Sequence, residues 1–212
     1  MKKYDEGFAV AGSVMTMVFF ILVNYLTSPH YPWFIYPSFV LLLWPIGLYC
    51  VRKGKHKHLA ISYSALILAF LTVENYLNSP NYSWSIYAIY PIFWWPILTF
   101  LEKRALTMTV ALVGSISIIL YYSILNVVLS PGYPWVIYPA FVVLWWPLAL
   151  YHAKKKTFFE FSIHASLLIG VFFISVNVIS TPDTIWAVYP IFCVLWWPLS
   201  MYYFVYKRKL IK

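Results

Sequence analysis

The stretch NYLTSPHYPWFIYPSFVLLLWP, residues 24–45, contains the features that decide the fold of this chain. It begins with an asparagine, passes through a Ser-Pro turn and a Trp and Tyr, and ends in Trp-Pro. Stretches with the same order of landmarks follow at 75–96, 126–147 and 177–198, so each landmark recurs after 51 residues. A fixed period without insertion or deletion indicates a tandem array, and such an array sets the architecture before any single residue is considered.

The composition indicates a membrane protein. Hydrophobic residues make up 63% of the 212 residues and charged residues only 10%, with a mean hydropathy of +0.76. A soluble domain carries about a quarter charged residues, so a water-soluble fold is excluded. Each period holds two apolar runs of about 20 residues, the length that crosses a hydrocarbon core of ~30 Å. The predicted transmembrane helices are 8–27, 32–51, 58–78, 83–101, 105–129, 134–152, 158–180 and 185–206.

The predicted fold is an all-α integral membrane protein whose eight transmembrane helices form four hairpins in a single membrane domain, 1–212. Since each repeat has an even number of spans, the hairpins are parallel and related by a pseudo-fourfold axis along the membrane normal. The predicted repeats are 4–54, 55–105, 106–156 and 157–207, followed by a basic tail, 208–212.

The positive charges predict the orientation. All 15 lysines and arginines fall in the termini or between the repeats, and the four Ser/Thr-Pro loops carry none. By the positive-inside rule both termini are cytoplasmic, in the plasma membrane of a prokaryote. The formal charge of +9 is divided among short segments, which favours contact with anionic lipid headgroups over nucleic-acid binding.

Aromatic residues and prolines recur at two depths of the second helix of each repeat. An outer aromatic belt is predicted at Trp33, Trp84, Trp135, Trp186, Tyr36, Tyr87, Tyr138 and Tyr189. Deeper in the helix, kinks that free a carbonyl one turn earlier are predicted at Pro45, Pro96, Pro147 and Pro198. The tryptophans beside these prolines wall a ligand pocket, or they fill the gap at the kink and donate their indole N–H groups to the freed carbonyls.

A polar stripe runs along the first helix of every repeat, where a serine and an asparagine eleven residues apart lie within ~20° of one helical face. Its members are Asn24, Asn75, Asn126 and Asn177 with Ser13, Ser64, Ser115 and Ser166. Two interpretations are open. The stripe lines a pore or solute pathway, or it is hydrogen-bonded packing between helices and within the Ser-Pro turn.

Few titratable residues lie in the apolar runs. Glu74 has no acidic equivalent in the other repeats, so it is either a cation or proton site or a hydrated carboxylate near the interface. Glu160 and His164 share one helical face and form a secondary candidate, as a proton relay or a local ion pair. No zinc-ligand spacing, phosphate loop or nucleophile motif is found, which predicts no catalytic residue, no metal site and no cofactor. Three histidines among lysines are expected to be solvated or to lie near lipid headgroups: His56, His58 and His152.

Histidines, asparagines and Trp-x-x-x-Pro segments recur in a further pattern. The fourth repeat has Phe161, His164, Asn177, Trp186 and Pro190, and the third has Asn126, Trp135, Pro139 and His152. This hairpin resembles the small bacterial 2TM domain family, whose pattern has a histidine that opens the first helix and another that closes the second. No repeat here carries both histidines. The resemblance implies a non-enzymatic membrane module, which in that family is often attached to regulators and kinases.

The leading functional hypothesis is a non-enzymatic, channel-like or solute- or cation-binding membrane protein with a polar core lined by the first helix of each repeat. The asparagines would form its outer ring, and Glu74 would be its cation or proton site. The alternative is a sensor or accessory subunit that binds a partner membrane protein or lipid. The two hypotheses differ in whether water reaches the polar stripe.

Overall fold

The computed structural model describes residues 4–210, which are helical apart from short turns and contain no β-strand. A 3₁₀ segment, Glu102–Leu106, precedes the fifth helix, and the eighth continues through a π-helical turn, Tyr202–Tyr206, into Lys207–Leu210. The eight main helices are α1 (Tyr4–Thr27), α2 (Ile35–Arg52), α3 (His56–Asn78), α4 (Ile86–Leu101), α5 (Met108–Leu129), α6 (Ile137–Lys155), α7 (Phe158–Ser180) and α8 (Val188–Met201).

The chain divides into two compact units, Met1–Leu101 and Glu102–Lys212. In the first unit α1 packs on α2, α2 on α3 and α3 on α4, and in the second α5 packs on α6, α6 on α7 and α7 on α8. Short connections make consecutive helices neighbours. We call the pairs α1–α2, α3–α4, α5–α6 and α7–α8 hairpins 1 to 4. The end of each unit with the Ser/Thr-Pro loops is its loop end, and the opposite end, with the lysines and arginines, is its basic end.

Within residues 4–210, six helices are long and apolar enough to cross a membrane, which makes the chain an integral membrane protein. They are α1, α2, α3, α5, α7 and α8 together with its π-helical extension. The two others are α4, which has 16 residues, and α6, which has 19. At 1.5 Å per residue α4 is about 24 Å long, less than the hydrocarbon core.

The even-numbered helices begin three residues later than the sequence predicts. We expected prolines such as Pro32 to open the helix, but α2 begins at Ile35 and α6 at Ile137. The residues before them form a tight turn in which the Trp33 N–H bonds to the Tyr31 carbonyl and the Trp135 N–H to the Tyr133 carbonyl. The deeper prolines do lie inside helices, where the sequence places them: Pro45, Pro96, Pro147 and Pro198.

Among residues 4–210 the side chains that are completely buried are small, being alanines and serines. A buried residue precedes each serine of the stripe by one turn, and these residues are Ala9, Ala60, Ala111 and Ser162. Small residues four apart let membrane helices approach closely, which is how such helices gain packing energy in lipid. The large hydrophobic side chains point outwards instead, with Phe19 59% and Val127 71% exposed. A membrane supplies the apolar contact for that surface.

Candidate functional site

Each asparagine of the stripe makes three hydrogen bonds within its own hairpin loop. The Asn126 Nδ2 atom donates to the carbonyls of Ser130 and Tyr133 at 2.7 and 2.8 Å, and its Oδ1 atom accepts from the Val136 N–H at 3.0 Å. The equivalent bonds, between 2.6 and 3.4 Å, are made by Asn24, Asn75 and Asn177. Both donors of each amide are therefore used to join the end of one helix to the start of the next.

The serines of hairpins 2 to 4 face the backbone carbonyls that the prolines free. The Ser115 Oγ atom donates to the Val143 carbonyl at 2.9 Å, and Val143 lies four residues before Pro147. The same contact is longer for Ser64, at 3.4 Å from the Ile92 carbonyl, and for Ser166, at 3.5 Å from the Val194 carbonyl. Proline cannot donate the helical bond that such a carbonyl would accept, and the serine hydroxyl replaces it. One of the two interpretations of the tryptophans gave this role to indole N–H groups, and it stays a prediction.

These contacts favour the packing interpretation of the stripe. All eight serines and asparagines are buried, and in hairpins 2 to 4 each hydroxyl or amide contacts a partner in its own hairpin. Hairpin 1 differs, because Ser13 is completely buried and its Oγ atom has no hydrogen-bond partner among residues 4–210. The Oγ atom of Ser38, a half-buried residue of α2, also has none within that range. Polar groups that are already satisfied have little left to offer a permeating ion.

The four loop tryptophans are half-buried and lie near the loop end, where the sequence predicts the aromatic belt. Three of them pack edge-on against an aromatic ring of the preceding helix. The pairs are Phe20 with Trp33, Tyr122 with Trp135 and Phe173 with Trp186, with centroids 5.8–6.0 Å apart. Among the belt tyrosines Tyr87 is half-buried, whereas Tyr36, Tyr138 and Tyr189 are exposed.

A tyrosine pair at the loop end of each unit contacts the following hairpin. In the second unit the hydroxyls of Tyr133 and Tyr138 are 2.7 Å apart, and Tyr133 is 2.9 Å from the Ser180 hydroxyl of α7. Hydrogen bonds from Ser180 and Tyr138 hold the pKa of the Tyr133 hydroxyl below its ordinary value. This pair therefore ties hairpin 3 to hairpin 4 at the loop end.

Glu74 takes part in the corresponding contact of the first unit. The hydroxyls of Tyr31 and Tyr36 are 3.1 Å apart, and Tyr36 donates to the Glu74 Oε1 atom at 2.7 Å. The same oxygen accepts from the Asn78 amide at 2.5 Å. Glu74 is half-buried and lies between hairpins 1 and 2. The role of Glu74 as a cation or proton site stays a prediction. Its hydrogen bonds with Tyr36 and Asn78 give it a structural role.

The structure pairs two histidines that the sequence analysis treated separately. The His152 Nε2 atom, at the end of α6, is 3.1 Å from the His164 Nδ1 atom, in the second turn of α7. The His152 Nδ1 atom is 3.1 Å from the Thr157 carbonyl and 2.6 Å from its hydroxyl. His152 is only 3% exposed, so the expectation that it would be solvated is wrong. The histidines belong to different hairpins, and the turn at Lys156 brings them together.

Glu160 does not share in this contact. It lies one turn before His164 on the same helix and is exposed, and the ring nitrogen of His164 that is hydrogen-bonded faces His152. The short connection between α6 and α7 explains the outcome, because it sets the end of one helix beside the start of the next. A histidine from the neighbouring hairpin occupies the position that we expected Glu160 to take.

A cavity of about 820 Å³ opens at the basic end of the first unit, between α1, α2 and α3. Its apolar wall includes Val10, Ala11, Pro45 and Ile46, and its polar groups are those of Glu6, Tyr49, Cys50, Lys55, His58 and Ser62. This volume falls within the range of about 300–1,000 Å³ that is usual for small-molecule sites. No pattern in the sequence predicts this cavity.

The charges at the cavity favour an anion. Glu6 lies 4.0 Å from Arg52, so its negative charge is offset. Lys55 donates a hydrogen bond to the Tyr49 hydroxyl at 2.9 Å, and this bond raises the pKa of Lys55 and keeps the amine charged. His58 adds a further nitrogen donor. Among the described residues that line the cavity, Glu6 is the only acid and Arg52 offsets it, so Lys55 leaves a net positive charge beside the apolar wall.

Two signals in the sequence could have indicated the missed residues. Tyr31, Tyr82 and Tyr133 recur at the same period as the landmarks, which marks the loop tyrosine pairs. His152 and His164 are twelve residues apart across a predicted helix–helix connection, which allows contact. The cavity has no such signal, because it depends on how far three helices diverge at one end. Within residues 4–210 no group of three or more His, Cys, Asp or Glu side chains could hold a metal ion, and Cys50 and Cys193 are free.

Comparisons with known proteins show no relative of this chain. No family model matches it, and neither a curated protein nor a solved structure matches it. The resemblance to the 2TM domain family therefore stays a prediction that rests on the residues quoted above.

Proposed function

We propose that this protein is a non-enzymatic, multi-pass membrane protein of a prokaryotic plasma membrane that binds an anionic amphiphile on its cytoplasmic side. The observation that carries the proposal is the cavity of the first unit, which has an apolar wall and a charged Lys55 at the basic end. The serine and asparagine stripe is proposed to be hydrogen-bonded packing, since all of its polar groups except the Ser13 hydroxyl are used within the hairpins.

The proposed topology has eight spans, as four parallel hairpins with both termini in the cytoplasm. Six helices are long and apolar enough to span the membrane, and the charges argue for α4 and α6 as well. Lys103 and Arg104 follow α4 directly, and lysines end α6. If either helix failed to cross, a basic connection would lie on the outer side, against the positive-inside rule. Local thinning of the bilayer accommodates the short α4 at modest cost.

The ligand chemistry follows from the walls of the cavity. Lys55 supplies a cation for a carboxylate or phosphate head, and a charge-assisted hydrogen bond is stronger than a neutral one. Four lining residues toward the membrane interior are apolar and suit an acyl chain: Val10, Ala11, Pro45 and Ile46. The acyl chain of a membrane amphiphile already lies in an apolar environment, so transfer into the cavity adds mainly packing contacts, and the head group at Lys55 gives the selectivity.

The test uses the full chain in nanodiscs of zwitterionic lipid with a long-chain carboxylate that carries a photoreactive diazirine in its chain. Irradiation followed by peptide mass spectrometry should place the label on α1 and α2 beside Val10 and Ile46. Lys55→Gln should lower labelling by the carboxylate about three- to tenfold, the loss expected for one partly exposed charge contact. The corresponding diazirine alcohol should label weakly, and Lys55→Gln should not change its yield.

Two variants serve as controls for this test. Lys53→Gln removes an exposed lysine that does not line the cavity, and it should leave labelling unchanged. Ala11→Trp places an indole in the cavity and should block the carboxylate. Equal labelling by carboxylate and alcohol, insensitive to both Lys55→Gln and Ala11→Trp, would show ordinary lipid contact and refute the proposal.

The second candidate function is an accessory subunit that binds another membrane protein. It is favoured by the outer face of α8, where Tyr189, Phe192 and Trp196 are 72%, 64% and 57% exposed. These residues lie three and seven positions apart on one helical face, and aromatic side chains are enriched at protein interfaces. Recovery of one stoichiometric partner in mild detergent, lost in a Phe192→Ala, Trp196→Ala variant, would support it.

A further inference from the structure

The Nε2 atom of His152 and the Nδ1 atom of His164 are close enough to share one proton in a hydrogen bond. The facing nitrogens are 3.1 Å apart, within the ordinary range of a hydrogen bond, and the ring centroids are 5.1 Å apart. A hydrogen bond at this distance needs one proton between the two nitrogens. The buried ring belongs to His152, while His164 is exposed on the surface of α7 near the basic end.

Thr157 allows the His152 ring to be neutral or charged. In one neutral tautomer the His152 Nδ1–H donates to the Thr157 carbonyl, and Nε2 accepts from the Nδ1–H of His164. In the other, Nδ1 accepts from the Thr157 hydroxyl, and Nε2–H donates to His164. Both tautomers satisfy every nitrogen of the buried ring, so the geometry does not force one of them.

One added proton fits this arrangement and a second does not. When His152 is doubly protonated, Nδ1–H donates to the Thr157 carbonyl and Nε2–H donates to the lone pair of His164 Nδ1. If His164 is protonated as well, two N–H groups face each other at 3.1 Å, the hydrogen bond is lost and two positive charges oppose each other. Sites that interact this strongly titrate as a pair, in two separate steps.

Several charged groups lie at the same end of the second unit as the pair. Apart from His164, two aromatic rings pack against the His152 ring. The centroid of Tyr151 is 5.0 Å from that of His152, and the centroid of Phe161 is 5.7 Å away. The charged and titratable groups at this end of the packed elements are Lys154, Lys155 and Lys156 on or after α6, Glu160 on α7, Glu102, Lys103 and Arg104 before α5, and Tyr202, Tyr206, Lys207 and Arg208 after α8. Positive groups outnumber the two acids in this set.

We propose that His152 and His164 are a proton-binding site that couples the packing of hairpin 4 on hairpin 3 to the pH on the basic side of the second unit. The first proton keeps the contact between α6 and α7, and the second proton opens it. This site lies in the second unit and is independent of the amphiphile cavity, so neither proposal depends on the other.

The test is a pH titration by long-range ¹H–¹⁵N correlation NMR of the full chain labelled with ¹⁵N-histidine, in detergent micelles. The two histidines should titrate in separate steps, at least about one pH unit apart. His164→Asn should convert His152 to a single step, and His152→Asn should do the same for His164. His56 and His58 belong to the other unit and serve as internal references, whose titration should not change in either variant.

A second readout follows packing. Thermal unfolding over the same pH series reports the stability of the packed protein directly. The wild-type protein should lose stability as the second proton binds, and His164→Asn should not show that loss. Single independent steps for both histidines in the wild type, unaltered by either variant, would overturn the proposal. Suppression of both titrations by equimolar Zn²⁺ would also overturn it, in favour of a metal site.

Discussion

Asn126 and Ser115 show how single polar side chains are used in this protein. Asn126 satisfies two loop carbonyls and one N–H, and Ser115 satisfies the carbonyl that Pro147 frees. In a bilayer, an unsatisfied backbone group costs several kcal/mol, so these positions require polar side chains of fixed length. This need of the backbone accounts for the recurrence of the four asparagines and of Ser64, Ser115 and Ser166.

Substitution of Asn126 tests this explanation. Asn126→Ala removes three hydrogen bonds and should lower the free energy of unfolding by about 2 kcal/mol, at 0.5–1.5 kcal/mol for each bond. Asn126→Asp keeps the size but replaces both donors with a carboxylate that faces two carbonyls, so it should cost at least as much. Reversible unfolding in mixed micelles measures both. Asn78→Ala, which removes one exposed hydrogen bond, is the control and should cost less than about 0.5 kcal/mol. A stable Asn126→Asp protein would instead favour a hydrated polar ring.

Close packing of neighbouring helices depends on Gly47. The Tyr63 hydroxyl of α3 donates to the Leu43 carbonyl of α2 at 2.8 Å, and a Cβ atom at Gly47 would clash with that hydroxyl. Stacked rings of Phe39 and Phe70, with centroids 4.3 Å apart, support the same contact nearer the loop end. The junction between hairpins 1 and 2 thus combines a glycine, a tyrosine and an aromatic pair.

Gly47→Ala should weaken this junction. The added methyl group displaces the Tyr63 hydroxyl from the Leu43 carbonyl, and overpacking of this kind costs about 1–3 kcal/mol. Tyr63→Phe removes the clashing oxygen, so the double variant should be less destabilised than the sum of the two single variants. Gly12→Ala is the control, because a Cβ there meets no atom within 4 Å and alanine favours the helix. Strict additivity of the two changes would refute the contact.

The sequence predicts the elements better than the contacts between them. Apolar runs and prolines located the helices, but they could not show that the Asn24 side chain would hold the turn and delay α2 to Ile35. The sequence pattern also located the polar stripe. This was possible because the hydrogen-bond partners of its side chains lie in the same hairpin, within about 30 residues. The His152–His164 pair and the Lys55 cavity depend on contacts between different hairpins or among three helices. The periodicity of one helix carries no information on these distances.

At the scale of the whole molecule, the charges and the hydrogen bonds lead to two separate predictions. The first concerns the orientation in the membrane, and the second concerns the access of water to the stripe. The distribution of lysine and arginine predicts which end is cytoplasmic. The satisfied stripe predicts that water does not run between the two ends along the serines. Both statements can be measured on the same protein after Cys50 and Cys193 are replaced.

Single cysteines at three positions should give three different results with a membrane-impermeant thiol reagent applied to intact cells. Gly132→Cys lies in the exposed loop of hairpin 3 and should react at once, because the loop end faces outwards. Lys103→Cys is exposed at the basic end and should react only after permeabilisation. Ser115→Cys, at a position that is 2% exposed, should stay unlabelled in both conditions. Labelling of Lys103→Cys from outside would reverse the orientation. Reaction of Ser115→Cys in intact cells would mean that water enters the stripe, and the channel-like hypothesis would then lead over amphiphile binding.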